Sequence, residues 1–223
     1  MDTPAVVVNV KTYRKGTGDH AVSLARTMQQ VHEETGAALA IAVQAVDLHR
    51  VAQAVDIPVF AQHMDAIGYG SHTGWTLPDA LAAAGADGVL LNHSEHRLRA
   101  DVIAAAVNQA GELGLDTVVC ADSPDVAGAM AALHPGFVAI EPPELIGGNV
   151  SVTSADPGVV ERSVARVQQV APGVQVLCGA GVKTAGDISA ALDLGTVGVL
   201  LASGVVKAAE PEMVLRELAG AVV

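Results

Sequence analysis

Three residues that could carry acid-base chemistry together follow apolar runs of this chain. Glu141 follows the run 137–140 and opens a loop that begins with two prolines, His93 follows the run 88–91 and Asn92, and Lys11 follows the run 5–10. A carboxylate can take up a proton, an imidazole can polarise an oxygen, and an ammonium group can stabilise a developing negative charge. A salt bridge at a strand end is the alternative for Glu141, and a solvent-facing position is the alternative for Lys11.

Two turns built from small residues could bind a phosphate group. They are Gly179-Ala-Gly181 and Ala202-Ser203-Gly204, and each leads into a predicted helix. Because these residues have little bulk, backbone N–H groups can approach an anion closely. The chain is acidic overall, so a phosphate ester must be held by such local donors together with Lys11. The alternative is that these glycines serve only tight turns.

Eight short runs of apolar residues alternate with amphipathic segments, and this pattern predicts the elements that position these groups. Nearly continuous apolar runs are typical of parallel strands that are covered on both faces. Helix starts are predicted at Ser123-Pro124 and at Thr184. The eight predicted strands are 5–10, 38–43, 59–63, 88–91, 117–120, 137–141, 174–178 and 197–201.

Eight βα units with right-handed crossovers predict an α/β fold, a closed (β/α)8 barrel. An open doubly wound sheet is disfavoured, since no G-x-G-x-x-G motif follows the first strand. Ligands of such barrels bind at the carboxyl ends of the strands, so Glu141, His93 and Lys11 are expected on one rim. The chain, residues 1–223, is predicted to be a single domain.

His93 is expected to open a helix, whose positive end would keep the imidazole neutral. A core histidine satisfied by the backbone is the alternative. The other histidines lack the spacing of metal ligands, so no metal site is predicted. Cys120 and Cys178 end strands separated by a third strand, about 9 to 10 Å apart, and are therefore expected to be reduced thiols.

The charge of the chain limits its partners and its location. The 24 acidic and 12 basic residues give a formal net charge of -12, which argues against binding to nucleic acid or to anionic membranes. A protein of a high-salt cytoplasm and an ordinary acidic protein both fit this composition. The chain lacks an apolar run of about 18 residues and a basic start typical of a signal peptide, so a cytoplasmic location is expected.

One connection, residues 64–77, is long and carries the chain's only tryptophan, Trp75, and one of its two tyrosines, Tyr69. Exposed aromatic residues are typical of contacts between subunits. A loop that packs only on its own chain is the alternative.

Taken in order, the strand-end motifs resemble those of the triosephosphate isomerase family, in particular its short archaeal type. The resemblance runs from the first strand to the last and implies a TIM barrel and an aldose-ketose isomerase. Such an enzyme interconverts dihydroxyacetone phosphate and D-glyceraldehyde 3-phosphate in glycolysis and gluconeogenesis, without a cofactor. The motifs that carry the resemblance are Asn9-Val-Lys11, Asn92-His93-Ser94-Glu95, Glu141-Pro-Pro-Glu-Leu-Ile-Gly147, Cys178-Gly-Ala-Gly181 and Leu201-Ala202-Ser203-Gly204.

The resemblance also implies roles for individual residues. Glu141 would be the base and His93 the electrophile, Lys11 would stabilise the oxyanion, Asn9 would help to place Lys11, and Glu95 would orient its neighbours. The main chain would bind the substrate phosphate at Ile146, Gly147, Gly181, Ala202 and Ser203. A homotetramer is implied, with a dimer as the alternative, in which the loop 64–77 reaches into the active site of a neighbour beside Lys11.

The chain departs from the family pattern at three places. The loop after Glu141 reads Ile146-Gly147-Gly148-Asn149 where Ile-Gly-Thr-Gly is usual, Gly181 stands where longer members carry serine, and His96 stands where many carry Arg or Lys. Two other classes of function remain open from the residues. One is a carbon-carbon lyase that uses Lys11 as a Schiff base, and the other is a non-catalytic sugar-phosphate sensor.

Overall fold

Eight parallel strands close into a barrel in the computed structural model, which describes residues 1–142 and 152–223. Each strand pairs with the next along the chain, and β8 returns to β1. The predicted α/β fold, the (β/α)8 or TIM barrel, is therefore confirmed. The strands are β1 Ala5–Asn9, β2 Ala38–Val43, β3 Val59–Ala61, β4 Gly88–Leu91, β5 Asp116–Ala121, β6 Phe137–Ile140, β7 Gln175–Cys178 and β8 Gly198–Leu201.

The register closes the barrel at its first strand, where Ala5 lies opposite Ala38 of β2 and opposite Gly198 of β8. Since all eight strands run in the same direction, their carboxyl ends form one rim. Asn9 ends β1 at this rim, and Glu141 follows β6 there. Residues that are far apart in the chain are thereby brought to one side of the molecule.

Helices cover the outside of the barrel. Ser123 caps its helix by accepting a hydrogen bond from the N–H of Val126, and Thr184 forms a capping box with Asp187, so both predicted helix starts are confirmed. A short 3-10 helix spans Arg14–Gly16. The α-helices in the described residues are α1 Asp19–Thr35, α2 Ala45–Ala52, α3 Pro78–Ala83, α4 Ala100–Glu112, α5 Pro124–Ala131, α6 Val152–Ala155, α7 Pro157–Val170, α8 Ala185–Asp193, α9 Ser203–Val206 and α10 Pro211–Ala219.

Two layers of apolar side chains form the core. Alternate strand residues point outward and pack under the helices, as Val6 and Val8 do, whereas Val7 belongs to the cluster inside the barrel. Phe60 is the largest fully buried side chain, and it fills the interior beside Gly88. A Cβ at Gly88 would lie 2.6 Å from the carbonyl oxygen of Asp116 and 2.7 Å from two ring carbons of Phe60, so glycine is required there.

The amino terminus closes the opposite end of the barrel. Met1 packs against the inner cluster, and its ammonium group donates a hydrogen bond to Oδ2 of Asp116 at 2.6 Å. Cys120 and Cys178 are buried free thiols, as predicted. Among the helices of the described ranges, none combines the length and the apolar character needed to cross a membrane.

Candidate active site

The chain after β1 is held in an unusual conformation that fixes Lys11. Lys11 has φ 49°, in the left-handed region that residues other than glycine seldom adopt. The side chain of Asn9 stabilises this turn, because its Oδ1 accepts hydrogen bonds from Lys11 N at 2.9 Å and from Gln62 Nε2 at 3.0 Å. Gln62 Nε2 also approaches the carbonyl oxygen of Lys11 at 3.0 Å. The backbone of Lys11 is therefore set by groups from β1 and from the end of β3.

The side chain of Lys11 turns toward the rim above β4. Its Nζ lies 2.8 Å from Oε1 of Glu95, and the lysine side chain is 11% exposed whereas that of Glu95 is 58% exposed. Lys11 also lines the pocket at the rim, so this ion pair fixes the ammonium group beside it. Lys11 is thus a positioned cation, and the solvent-facing alternative is wrong.

His93 lies in a turn, and the expected helix at this point does not form, since α4 begins only at Ala100. Asn92 causes the difference. Its φ of 57° reverses the chain, its Oδ1 accepts a hydrogen bond from Leu98 N at 3.0 Å, and its Nδ2 donates to the carbonyl oxygen of Cys120 at 2.9 Å. The predicted helix dipole therefore does not act on His93.

A backbone N–H selects the tautomer of His93. The N–H of Glu95 donates to Nδ1 of His93 at 3.2 Å, so we assign the ring proton to Nε2. Nε2 in turn lies 3.2 Å from Oε1 of Glu141. A neutral imidazole that carries its proton on Nε2 can donate to an oxygen in the pocket without first losing a second proton.

Glu141 is almost completely buried, with 3% of its surface exposed, and its Oε2 has no hydrogen-bond partner among the described residues. A buried carboxylate oxygen without a partner is rare, because desolvation penalises it. The carboxylate also contacts the thiol of Cys120, whose pKa is raised well above its usual value, first by burial and then by the negative charge of Glu141. Glu141 is therefore poorly solvated, as a reactive base requires.

Gly179 makes room for Glu141. A Cβ built on Gly179 would lie 2.7 Å from Cγ of Glu141 and 3.1 Å from the carbonyl oxygen of Ile140. A contact below 3.0 Å forces one of the two groups to move. Gly179 was noted in the sequence only as part of a phosphate turn, and its contact with Glu141 depends on the pairing of β6 with β7.

The turn after β7 offers backbone donors. Gly181 has φ 73°, and no backbone acceptor in the described part of the chain receives its N–H. The N–H groups of Lys183 and Thr184, two and three residues further on, are occupied, because Asp187 Oδ2 accepts a hydrogen bond from each at 3.0 Å. The N–H of Ser203 after β8 also has no backbone acceptor there. Gly181 and Ser203 thus present free N–H groups at neighbouring strand ends.

These groups converge on one pocket with an empty volume of about 500 Å³. Seven of the residues proposed from the sequence lie in its wall, namely Asn9, Lys11, His93, Glu141, Gly181, Ala202 and Ser203. Glu95 lies in an adjoining pocket, with its carboxylate on Lys11 and its N–H on His93. Ile146 and Gly147 lie outside the described residues. Tyr13, Val182 and Lys183 also line the main pocket, and the sequence analysis did not identify them.

Comparison with known proteins agrees with this geometry. The family model described as "Triosephosphate isomerase" matches residues 4–219. The chain is 52% identical over 218 residues to the triosephosphate isomerase of Methanoculleus marisnigri, with 98% of each chain covered. It is 50% identical to that of Methanosarcina acetivorans, also with 98% of each covered, and 48% identical to that of Methanobacterium bryantii, with 97% of this chain and 96% of the relative covered. The chain therefore belongs to the triosephosphate isomerase family.

Proposed function

We propose that Glu141 is the base and His93 the electrophile of the isomerisation that this family carries out, with Lys11 as the cation that stabilises the intermediate. The observation that carries this proposal is the 3.2 Å approach of His93 Nε2 to Glu141 Oε1 in a pocket that also contains Lys11. A proton donor and a proton acceptor are thus available side by side to the two adjacent carbons of a triose phosphate. Glycolysis and gluconeogenesis are the pathways implied by the family.

The proposed reaction begins when substrate replaces the contact between His93 and Glu141. The Nε2–H of His93 then donates to the carbonyl oxygen of dihydroxyacetone phosphate, and Glu141 removes a proton from the neighbouring carbon. Negative charge moves to the oxygen of an enediolate, where Lys11 stabilises it. His93 gives its Nε2 proton to this oxygen and takes a proton from the hydroxyl group on the neighbouring carbon, which restores the imidazole. Glu141 then returns its proton to the carbon that carried the carbonyl oxygen, and D-glyceraldehyde 3-phosphate is formed. General acid-base groups placed in this way contribute about 10² to 10⁴ in rate.

The pocket has separate ends for chemistry and for binding. We propose that the phosphate dianion accepts hydrogen bonds from main-chain N–H groups of Gly181, Ala202 and Ser203. The free donors at Gly181 and Ser203 support this assignment. The further phosphate contacts proposed at Ile146 and Gly147 fall outside the described residues. Asn9 and Glu95 are proposed as positioning residues that act through Lys11 and His93.

The alternative of a Schiff-base lyase receives no support from Lys11. A lysine must lose its proton before it can attack a carbonyl carbon, whereas Lys11 forms an ion pair with Glu95 at 2.8 Å. A sensor that binds sugar phosphates would need the phosphate donors but not a buried carboxylate beside an imidazole. The pairing of Glu141 with His93 therefore favours catalysis.

Replacement of Glu141 by aspartate tests the proposal. Glu141→Asp withdraws the carboxylate by about one methylene, so kcat should fall by about 10² or more while the affinity for a phosphate-bearing inhibitor changes less than threefold. Glu112→Asp, at an exposed position at the end of α4, is the matched control and should retain full activity. An equal change in kcat and in inhibitor affinity would show that Glu141 binds rather than reacts.

We propose that copies of this chain associate through the loop 64–77, as a homotetramer or a dimer. Tyr69 is 80% exposed and Trp75 is 58% exposed, which disfavours a loop that packs only on its own chain. The pocket beside the active site that contains Lys11 and Glu95 could accept the loop of a second copy. Trp75→Ala should lower the oligomeric mass measured by light scattering and reduce activity in parallel. A variant of unchanged mass would refute this interface.

We further propose that residues 1–223 form one domain, since the barrel strands and their helices extend from Ala5 to Ala219. The acidic composition supports a cytoplasmic enzyme without nucleic acid or membrane partners, and it fits a high-salt cytoplasm. Activity that rises toward molar KCl would support a halophilic source. Activity that is greatest at low salt would contradict it.

A further inference from the structure

The chain has four lysines, and all four lie at the open rim of the barrel. Lys11 and Lys183 line the active-site pocket. The other two lie in an adjoining groove, lined by Tyr13, Arg14, Lys15, Val206 and Lys207. Tyr13 belongs to the walls of both spaces, so the groove borders the active site directly.

The cations of this groove have neutral partners. Lys15 Nζ donates to the carbonyl oxygen of Ala208 at 2.8 Å, and Lys207 Nζ lies 4.2 Å from the centroid of the Tyr13 ring. Within the described residues, neither these two lysines nor Arg14 forms an ion pair. By contrast, six other basic side chains pair with carboxylates, namely Lys11, Arg50, Arg97, Arg99, Arg162 and Arg216.

This arrangement is unexpected on a chain with 24 acidic and 12 basic residues, where carboxylates are twice as frequent as cations. Three adjacent cations that have no carboxylate partner leave a local positive potential on a surface that otherwise repels anions. Lys15 also borders a second groove that contains Glu210 and Glu212, outside ion-pairing distance, so the potential is more positive on the side shared with Tyr13.

We propose that Arg14, Lys15 and Lys207 form an anion-capture site that draws phosphomonoester dianions into the adjoining active site. This proposal rests on the isomerase function, because its substrates carry the dianion. The cations act before the main-chain donors of the pocket take over. Between exposed charges such attraction extends about 30 Å at 0.01 M salt and about 3 Å at 1 M, so in high salt the site acts only at contact distance.

The test compares three double variants with the wild type. Lys15→Gln/Lys207→Gln removes two charges from the groove. Arg26→Gln/Arg166→Gln removes two charges from exposed arginines on α1 and α7 that also lack carboxylate partners in the described part of the chain. Lys15→Arg/Lys207→Arg keeps the charge but changes the contacts with Ala208 and Tyr13. Thermal unfolding of each variant checks that it is folded.

The first measurement is kcat/KM for D-glyceraldehyde 3-phosphate at 10 mM and at 500 mM ionic strength. The glutamine variant of the groove should lose about 3- to 10-fold at 10 mM and less than about twofold at 500 mM, with kcat unchanged. The arginine variant and the control on the helices should stay within about twofold of the wild type at both. Because variants are compared at equal salt, any general activation by salt cancels.

The second measurement does not depend on turnover. The Kd of inorganic phosphate, measured by equilibrium dialysis at 10 mM ionic strength, should rise by about 3- to 10-fold in the glutamine variant of the groove only. An equal loss at both ionic strengths, an equal loss in the control, or unchanged phosphate binding would overturn the capture site. A wild type that binds phosphate but does not turn over substrate would instead count against the catalytic roles proposed above.

Discussion

Gly179→Ala should disable the enzyme by moving Glu141, the proposed base, while leaving the fold intact. The added Cβ would lie 2.7 Å from Cγ of Glu141, whereas carbon atoms in ordinary contact are about 3.5 to 4.0 Å apart. The two groups must separate by roughly 0.8 Å or more, and a displacement of about 1 Å at a reacting group lowers the rate by about 10². Cγ is tied to the main chain, and the carbonyl oxygen of Ile140 closes the other side at 3.1 Å.

The assay for Gly179→Ala is kcat in the coupled isomerase reaction, together with the midpoint of thermal unfolding. We expect kcat to fall by about 10² and the midpoint to fall by a few degrees. Gly186→Ala is the matched control, because the nearest atom to its new Cβ is Oγ1 of Thr184 at an ordinary 3.7 Å. It lies in α8, where alanine is the better helix former, so its stability should be equal or higher. If Gly179→Ala keeps kcat within threefold of the wild type, Glu141 is not held as the structure indicates.

Two further predictions concern stability. Burial raises the pKa of the Cys178 thiol to about 12, so the folded chain keeps a proton that the unfolded chain releases above about pH 9. Stability from this group is complete below pH 9 and declines by about 1.4 kcal/mol per pH unit as the pH rises toward 12. Denaturant unfolding at pH 8 and pH 10 should show a smaller decline for Cys178→Ala than for the wild type, and equal declines would contradict the assignment. Asp187→Ala removes the capping box of α8 and should lower stability by about 1 kcal/mol, or about 2 to 4 °C in the unfolding midpoint. Asp193→Ala, at the other end of α8, is its control, and a loss of equal size in both variants would refute the role of the cap.

The sequence predicted the barrel because hydrophobic periodicity is a local property. All eight strands form at the predicted places, although β3 ends at Ala61 rather than at His63. Just after this end, the backbone N–H of Gln62 still donates to Val43 of β2, and its side chain contacts Asn9, Lys11 and Ala42. These hydrogen bonds join residues from the ends of three strands, and spacing along the chain does not reveal them.

The predicted site residues that the structure describes lie together at one rim, but their local geometry was less predictable. A helix was expected at His93, where Asn92 instead reverses the chain with φ 57°. Nδ1 of His93 therefore accepts a hydrogen bond from the N–H of Glu95, two residues further on, and the ring does not face the end of a helix. The contact of Gly179 with Glu141 likewise depends on the pairing of β6 with β7. Such contacts depend on the register between neighbouring strands, and a single sequence does not reveal that register.

The placement of the four lysines has a practical consequence for chemical coupling. The α-amino group, the usual competitor in reactions with active esters, is paired with Asp116 at 2.6 Å at the closed end of the barrel, where the Met1 side chain is buried. Lys15 and Lys207 are exposed at the rim, and Lys11 and Lys183 lie inside the mouth. Immobilisation on an amine-coupling resin would therefore turn the mouth of the barrel against the support and block entry of substrate. Attachment through a cysteine introduced near the amino-terminal ends of the strands would leave the mouth facing the solution.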